Sequence, residues 1–159
     1  MEKILLTRSG YEKIVKELEV LSRVERPQVV QEILESAPEG RPEKNPDFQS
    51  TLARKQRLER RIKQLQLILA NAEVLVGSNL PPDQVRFNSR VRVRNLSTGK
   101  EQVFKLVGSV EADAGRGELS ISSPLGRALL GRVLGEIVSL ETPRGPRSYH
   151  ILDIQMDEV

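Results

Sequence analysis

The sequence predicts an α+β chain in two parts: an N-terminal antiparallel helical coiled-coil hairpin, then a small antiparallel β domain with one short helix. Three observations carry this. Apolar residues recur every three or four positions before residue 78 and every second position after it. The change of period falls at a cluster of turn-forming and helix-stopping residues, Gly77, Ser78, Asn79, Pro81 and Pro82. The helical part is itself divided by "EGRPEKNPDFQ", residues 39 to 49, into two arms. The expected domains are therefore 1–77, with the hairpin tip at about 38–47, and 78–159.

The second arm has the clearer pattern. Leu58, Ile62, Leu65, Leu69, Ala72 and Val76 are spaced by four and three residues in alternation, which keeps one apolar seam on one helix face. The first arm is less regular, with Ile14, Leu18, Leu21, Val24, Val30, Ile33 or Leu34, and Ala37. Pro27 inside it removes a backbone hydrogen bond and is expected to bend or break the helix. Two such arms can bury their seams only against each other. Between them, Pro38 and Gly40 end the first helix, Asn45 suits an N-cap, Pro46 the first helical position and Asp47 the positive end of the helix dipole. At about 1.5 Å per residue, arms of about 30 residues carry the tip some 40 Å from the base. That reach is unusual for a mere connection.

In the second part, Val91 and Val93 alternate with Arg90, Arg92 and Arg94, and Ser97-Thr98-Gly99 then turns the chain into "EQVFKLVG", a hairpin signal. "ELSIS", "EIVSLET" and "RSYHILDI" supply further strands, the last two joined by a turn at Thr142-Pro143-Arg144-Gly145. One short helix is marked by Ser123 as N-cap, Pro124 at the first position, Ala128-Leu129-Leu130 as the apolar face and Gly131 as the stop.

Composition removes several kinds of chemistry. The 159 residues hold no cysteine and one histidine, His150, so disulfides, thiolate metal sites and multi-histidine sites are excluded. His150, in a strand between Tyr149 and Ile151, reads as structural. No apolar run approaches the roughly 18 residues of a membrane span, and a soluble cytoplasmic chain is expected. A net charge of +3 is too small to diagnose a nucleic-acid binder, so the placement of charge matters more than its sum. "RKQRLERRIK" concentrates it, with Arg54, Lys55, Arg57, Arg60, Arg61 and Lys63 against Glu59 alone. Such a run is either a solvated helix face or a phosphate-binding patch. With only Tyr11 and Phe48 as aromatics in the first 77 residues, base stacking is not indicated.

The order of parts, with "LTRSGYEKIVKELEVL", "RPQVVQEI", "GRPEKNPDF", "VGSVEAD" and above all "ISSPLGRALLGRVLGEIVSLETPRG", resembles the bacterial Gre transcript-cleavage factors, GreA and GreB. The resemblance covers nearly the whole chain. It implies an FKBP-like fold for the second domain, which would dock on bacterial RNA polymerase at the rim of the secondary channel through Ser123, Pro124, Leu125, Gly126 and Arg127. The hairpin would enter the channel, and the basic residues Arg54, Lys55, Arg57, Arg60 and Arg61 would face the 3′ end of the nascent RNA. The factor would be a monomer with no membrane partner and no cofactor of its own, the only Mg²⁺ concerned being that of the polymerase active site.

The family's activity rests on a tip pattern Gly-Asp-x-x-Glu-Asn-x-(Asp/Glu)-Tyr. Gly40, Asn45, Asp47 and Phe48 fall at matching positions, but Arg41 replaces the Asp and Lys44 replaces the Glu. In the family those carboxylates help hold a second Mg²⁺ and its water, work that suits anionic oxygens on a hard cation. Arginine and lysine offer no lone pair and repel the metal. The exchange changes the formal tip charge by +4, +2 at each position. Glu43 is the best placed substitute, with Glu39 and Asp47 further candidates, yet each is displaced from the family's acids, and Pro42 and Pro46 restrict how far the backbone can readjust. The implied function is therefore a channel-occupying, non-enzymatic regulator that does not stimulate cleavage. Its alternatives are a cleavage factor using Glu43 or Asp47, and a coiled-coil RNA-binding adaptor. A prolyl isomerase would need an aromatic-lined pocket, and residues 78–159 offer only Phe87, Phe104 and Tyr149.

Overall fold

The structure is a computed structural model and describes residues 3–36, 46–75 and 81–156. Its contacts divide the chain into two compact units, Tyr11–Ala72 and Glu2–Gly10 with Glu73–Val159. This division differs from a single cut near residue 78, because Glu2–Gly10 belongs with the C-terminal unit.

The first unit is helical. Helix α1 spans Arg8–Val20, a π-helical turn Leu21–Glu25 follows, α2 spans Arg26–Ser36, and α3 spans Pro46–Ala70. Helices α2 and α3 pack through Val29, Leu58 and Ile62, with Leu18, Leu21 and Ile33 half-buried around them. The arms run antiparallel, since partners on α3 fall in number as those on the first arm rise: Arg61 with Glu17, Arg26 with Glu59, Arg54 with Glu32. Pro46 opens α3 and Asp47 lies in its first turn, as the local signals predict. The helix continues through Pro27 without a break. Immediately before it the chain widens into the π turn, where the Arg26 N–H reaches Leu21 O, five residues back. A wide turn relieves the clash a proline ring makes with the carbonyl four residues earlier.

That extra residue moves the seam. Val24 and Val30, expected inside, are exposed, and Val29, not foreseen, is buried instead. Of the two alternatives Ile33 and Leu34, it is Ile33 that packs inward, while Leu34 is 68% exposed. On α3 the seam is Leu58, Ile62, Leu65 and Ile68, with Leu69 only half-buried. The helix stops at Ala70, so Ala72 lies in a strand and not on the seam. Ala37, Val76 and the tip residues Pro38 to Asn45 lie outside the described residues.

The second unit holds a two-stranded ribbon, β1 (Ile4–Leu6) with β2 (Ala72–Val74), which periodicity alone does not reveal. Its main sheet comprises β3 (Ser89–Asn95), β4 (Glu101–Val107), β5 (Glu118–Ser120), β6 (Ile137–Thr142) and β7 (Gly145–Met156), in the order β5-β4-β3-β7-β6. Three pairings are antiparallel; β4 and β5 pair in parallel, a correction to the all-antiparallel expectation. Val91 and Val93 face a core with Val85, Leu106, Val138, Tyr149 and Ile151, closed by Leu129 of helix α4 (Pro124–Leu129). Leu130, expected on the apolar face, is 39% exposed because it caps α4. Gly131 follows at φ +82°, a left-handed stop. Arg90, Arg92 and Arg94 occupy the opposite face, where Arg92 donates to Glu101 at 2.6 Å and Arg94 at 3.4 Å. Those two bonds, that from Arg92 first, hold the Glu101 carboxyl below its ordinary range.

The segment from Leu6 to Gly10 is fastened within this unit by one carboxylate. Glu111 accepts from Thr7 N at 2.7 Å and from Thr7 Oγ1 at 2.6 Å, while Thr7 Oγ1 accepts from Gly10 N at 3.0 Å. Thr7 is thus the N-cap of α1, fully buried. Gly108 lies so close to Leu5 that a Cβ there would sit 2.0 Å from Leu5 O. Thr7→Val removes the hydroxyl from both bonds and is expected to cost roughly 2 to 3 kcal/mol, and Thr7→Ser well under half of that, in urea unfolding followed by circular dichroism. Equal losses for Val and Ser would show that the hydroxyl does not matter.

Candidate functional site

Two regions hold most of the expected site residues that the structure describes: the basic run on α3 and the loop at the start of α4. The basic run does not form one patch. Arg54, Arg57 and Arg61, separated by three and four residues, fall along one flank of the Leu58–Ile62 seam. With Leu21, Glu25, Gln28, Val29, Glu32 and Leu58 they line a groove of about 440 Å³ between the arms. Lys55 and Arg60 lie on other faces and do not join the groove.

The groove's arginines are unequal. Arg61 is held in a fork by Glu17, Nε to Oε1 at 2.8 Å and Nη2 to Oε2 at 3.0 Å, and its Nη1 donates to Gln64 at 2.8 Å. The Glu17 bond raises the pKa of this guanidinium, against a smaller effect of burial. Arg54 pairs through Nη2 with Glu32. Arg57 has no ion pair among the described residues. A third crossing pair, Arg26 with Glu59 at 3.1 Å, lies partly buried at the Pro27 step. Glu17 and Glu32, on the opposing arm, are the feature that reading the run alone could not find, since neither is near it in sequence.

The loop before α4 is built on hydroxyls. Ser123 Oγ donates to Ser120 O at 2.6 Å and accepts from Gly126 N at 3.1 Å, the N-cap expected of it. Ser120 and Ser122 bond through their hydroxyls at 2.7 Å, and Arg127 Nε donates to Ser122 O at 2.9 Å. Gly126 is buried because a Cβ would stand 1.9 Å from Ser120 O. Leu125 packs against the core. Of the five residues assigned to docking, Pro124 and Arg127 are exposed, whereas Gly126 and Leu125 maintain the shape. A neighbouring groove of about 240 Å³ runs between Lys3–Leu5 and Gly108, Ser109, Ile121 and Ser122, and contains no aromatic side chain. Tyr149 and Phe104 belong to the core, so neither lines a pocket of the isomerase kind there. His150 is half-buried on β7, opposite Arg94 and Ile137.

Of the expected tip residues, Asp47 is placed, exposed on the first turn of α3. Gly40, Arg41, Glu43, Lys44 and Asn45 lie outside the described residues. No helix among the described residues is long and apolar enough to cross a membrane.

An antiparallel helical hairpin with charges crossing between its arms, joined to a β unit with a hydroxyl-braced loop, defines a two-part protein. Residues 4–74 match the family described as transcription elongation factor, N-terminal, and residues 80–156 match transcription elongation factor, GreA/GreB, C-term. A transcription elongation factor GreA of Helicobacter hepaticus is 40% identical over 149 residues, 94% of this chain and 91% of that protein. One of Pelobacter propionicus is 38% identical over 154 residues, 97% of this chain and 98% of that protein. Among solved structures, GreA factor homolog 1 (Gfh1) of Thermus thermophilus is 28% identical, with 97% of this chain and 99% of that one covered and a TM-score of 0.41. The chain belongs to the GreA/GreB family of transcription elongation factors.

Gly126→Ala is expected to force α4 away from Ser120 and to lower stability by about 1 to 3 kcal/mol. Pro124→Ala, at an exposed position, is expected to cost under about 1 kcal/mol. Urea unfolding of both variants checks the contrast, and an unperturbed Gly126→Ala would refute the close approach.

Proposed function

We propose that this chain is a non-enzymatic regulator of bacterial RNA polymerase that places its hairpin tip in the secondary channel without stimulating transcript cleavage. The observation that carries this is Arg41 and Lys44 standing where the family pattern has its two acids, with Gly40, Asn45, Asp47 and Phe48 kept around them. The residues present do not suit a metal: two cations replace two oxygen donors, and Glu43 is one position out of place beside Pro42. Any Mg²⁺ in the reaction is then the polymerase's own. Docking is assigned to the loop Ser123–Arg127, with Pro124 and Arg127 as its exposed members. The factor works in the cytoplasm as a monomer, and its hairpin lies near the 3′ end of the nascent RNA. Family membership supports a partner in the transcription machinery.

A backtracked elongation complex tests the tip. The wild-type chain is expected to add no cleavage above the polymerase's own rate and to lower cleavage by a competent Gre factor as its concentration rises. The double change Arg41→Asp with Lys44→Glu is expected to confer Mg²⁺-dependent cleavage. Strong cleavage by wild type that Glu43→Ala abolishes would instead assign the chemistry to the displaced acid.

Docking is tested separately, by retention of the full chain on immobilised core polymerase. Arg127→Glu with Pro124→Asp is expected to reduce retention about tenfold or more, because the first change reverses a charge and the second removes an apolar ring from the same interface. Unchanged retention would move the docking surface elsewhere.

A further inference from the structure

The groove beside Arg57 is electroneutral as built. Arg54, Arg57 and Arg61 provide three positive charges, and Glu25 and Glu32 on its opposite wall with Glu17 provide three negative ones. Two of the arginines are occupied by these acids, Arg61 through both ends of its fork. Yet the pairs are shallow: side-chain exposure is 44% and 40% for Arg61 and Glu17, and 47% and 48% for Arg54 and Glu32. Exposed pairs of this kind hold weakly and yield to competing ions. An RNA phosphate offers the same pair of acceptor oxygens that the glutamates now present. The three guanidinium-bearing residues lie about 4.5 and 6 Å apart along the helix axis, a row that can follow a single strand.

We propose that Glu17 and Glu32 are built-in competitors for RNA: they mask Arg61 and Arg54 from single-stranded RNA phosphate and leave Arg57 as the one standing phosphate contact of the groove. This rests on the reading of the hairpin as the element that meets RNA, and it states how that site is regulated. The masked groove binds RNA weakly, and binding strengthens only where phosphate displaces a glutamate. Lys55 and Arg60, off the groove, contribute general attraction and no defined contact.

The test uses the full-length protein and a short fluorescein-labelled oligouridylate, with affinity measured by anisotropy across a series of KCl concentrations. Each phosphate contact to single-stranded RNA contributes a slope of about 0.7 in log affinity against log salt. Glu17→Gln with Glu32→Gln is expected to raise affinity about three- to tenfold at low salt and to steepen the slope by about 1.4, the value for two freed arginines. Arg57→Gln is expected to reduce the slope of wild type by about 0.7, and Arg60→Gln to leave it unchanged. Circular dichroism melting confirms that each variant retains the hairpin. Arg57 has no ion pair to break among the described residues, so its variant stays informative if the double glutamine variant unfolds. No gain from the double variant when folded, an Arg60 effect equal to that of Arg57, or no measurable binding by any variant would each overturn the proposal. Retention on core polymerase, measured in parallel, separates the two readings: loss of it in wild type would count against the proposed function and leave the RNA result standing.

Discussion

One carboxylate ties the beginning of this chain to its middle. Glu111 takes the backbone and the hydroxyl of Thr7 together, and that hydroxyl in turn caps α1 at Gly10. The arrangement leaves no spare volume, since a Cβ on Gly10 would stand 2.0 Å from the Glu111 carboxylate and one on Gly108 would strike Leu5 O. Ribbon β1–β2 and the first turn of α1 are therefore organised by contacts to a loop more than a hundred residues away. This is also why Glu2–Gly10 counts with the β unit although the helical period begins there. The segments "LTRSG" and "VGSVEAD", which carry part of the family resemblance, are the two halves of this fastening.

The fold was legible wherever period decided the outcome. The alternation of Val91 and Val93 with three arginines specified strand β3 and both its faces, and Ser123-Pro124 specified the cap and first position of α4. Period failed where a single inserted residue changed it. In α1–α2 the π turn absorbs one position, so Val29 replaces Val30 on the seam and Val24 turns outward. Pro27 was the visible cause, but proline is compatible with a kink, a break or a widened turn, and the choice depends on packing against Leu58 and Ile62. Strand β2 was illegible for another reason. Ala72 continues the heptad spacing of α3, and only pairing with β1 makes it a strand.

The candidate site was half legible. Residue types at the tip are read directly from the sequence, and the proposal that metal ligation is lost rests on those types alone, Arg41 and Lys44 standing where the family pattern has carboxylates. The basic run was legible as charge but not as a surface. The five basic residues read as one patch divide in the structure, where Arg54, Arg57 and Arg61 share a helix flank, and sequence could not reveal that Glu17 and Glu32 cross to it from the other arm, since that depends on hairpin register. Register follows from the seam, and the seam from the π turn. A local backbone feature near Pro27 thus decides which acids meet which arginines about thirty residues further along the chain.

The tip carries a further electrostatic consequence. Residues 39–48 contain Glu39, Glu43 and Asp47 against Arg41 and Lys44, a net charge of −1. With carboxylates at positions 41 and 44 the same segment would carry five acids and no base, a concentration of negative charge that attracts cations. The exchange therefore does more than delete two ligands. It weakens the attraction of the segment for a metal ion and, on the proposed reading, lowers its repulsion by carboxylates. The groove on α3 follows the same principle from the opposite sign, with arginines balanced by acids of the facing arm. In both places charge that would bind an ion tightly is offset by charge from the chain itself, the balance that the proposed channel-occupying function requires.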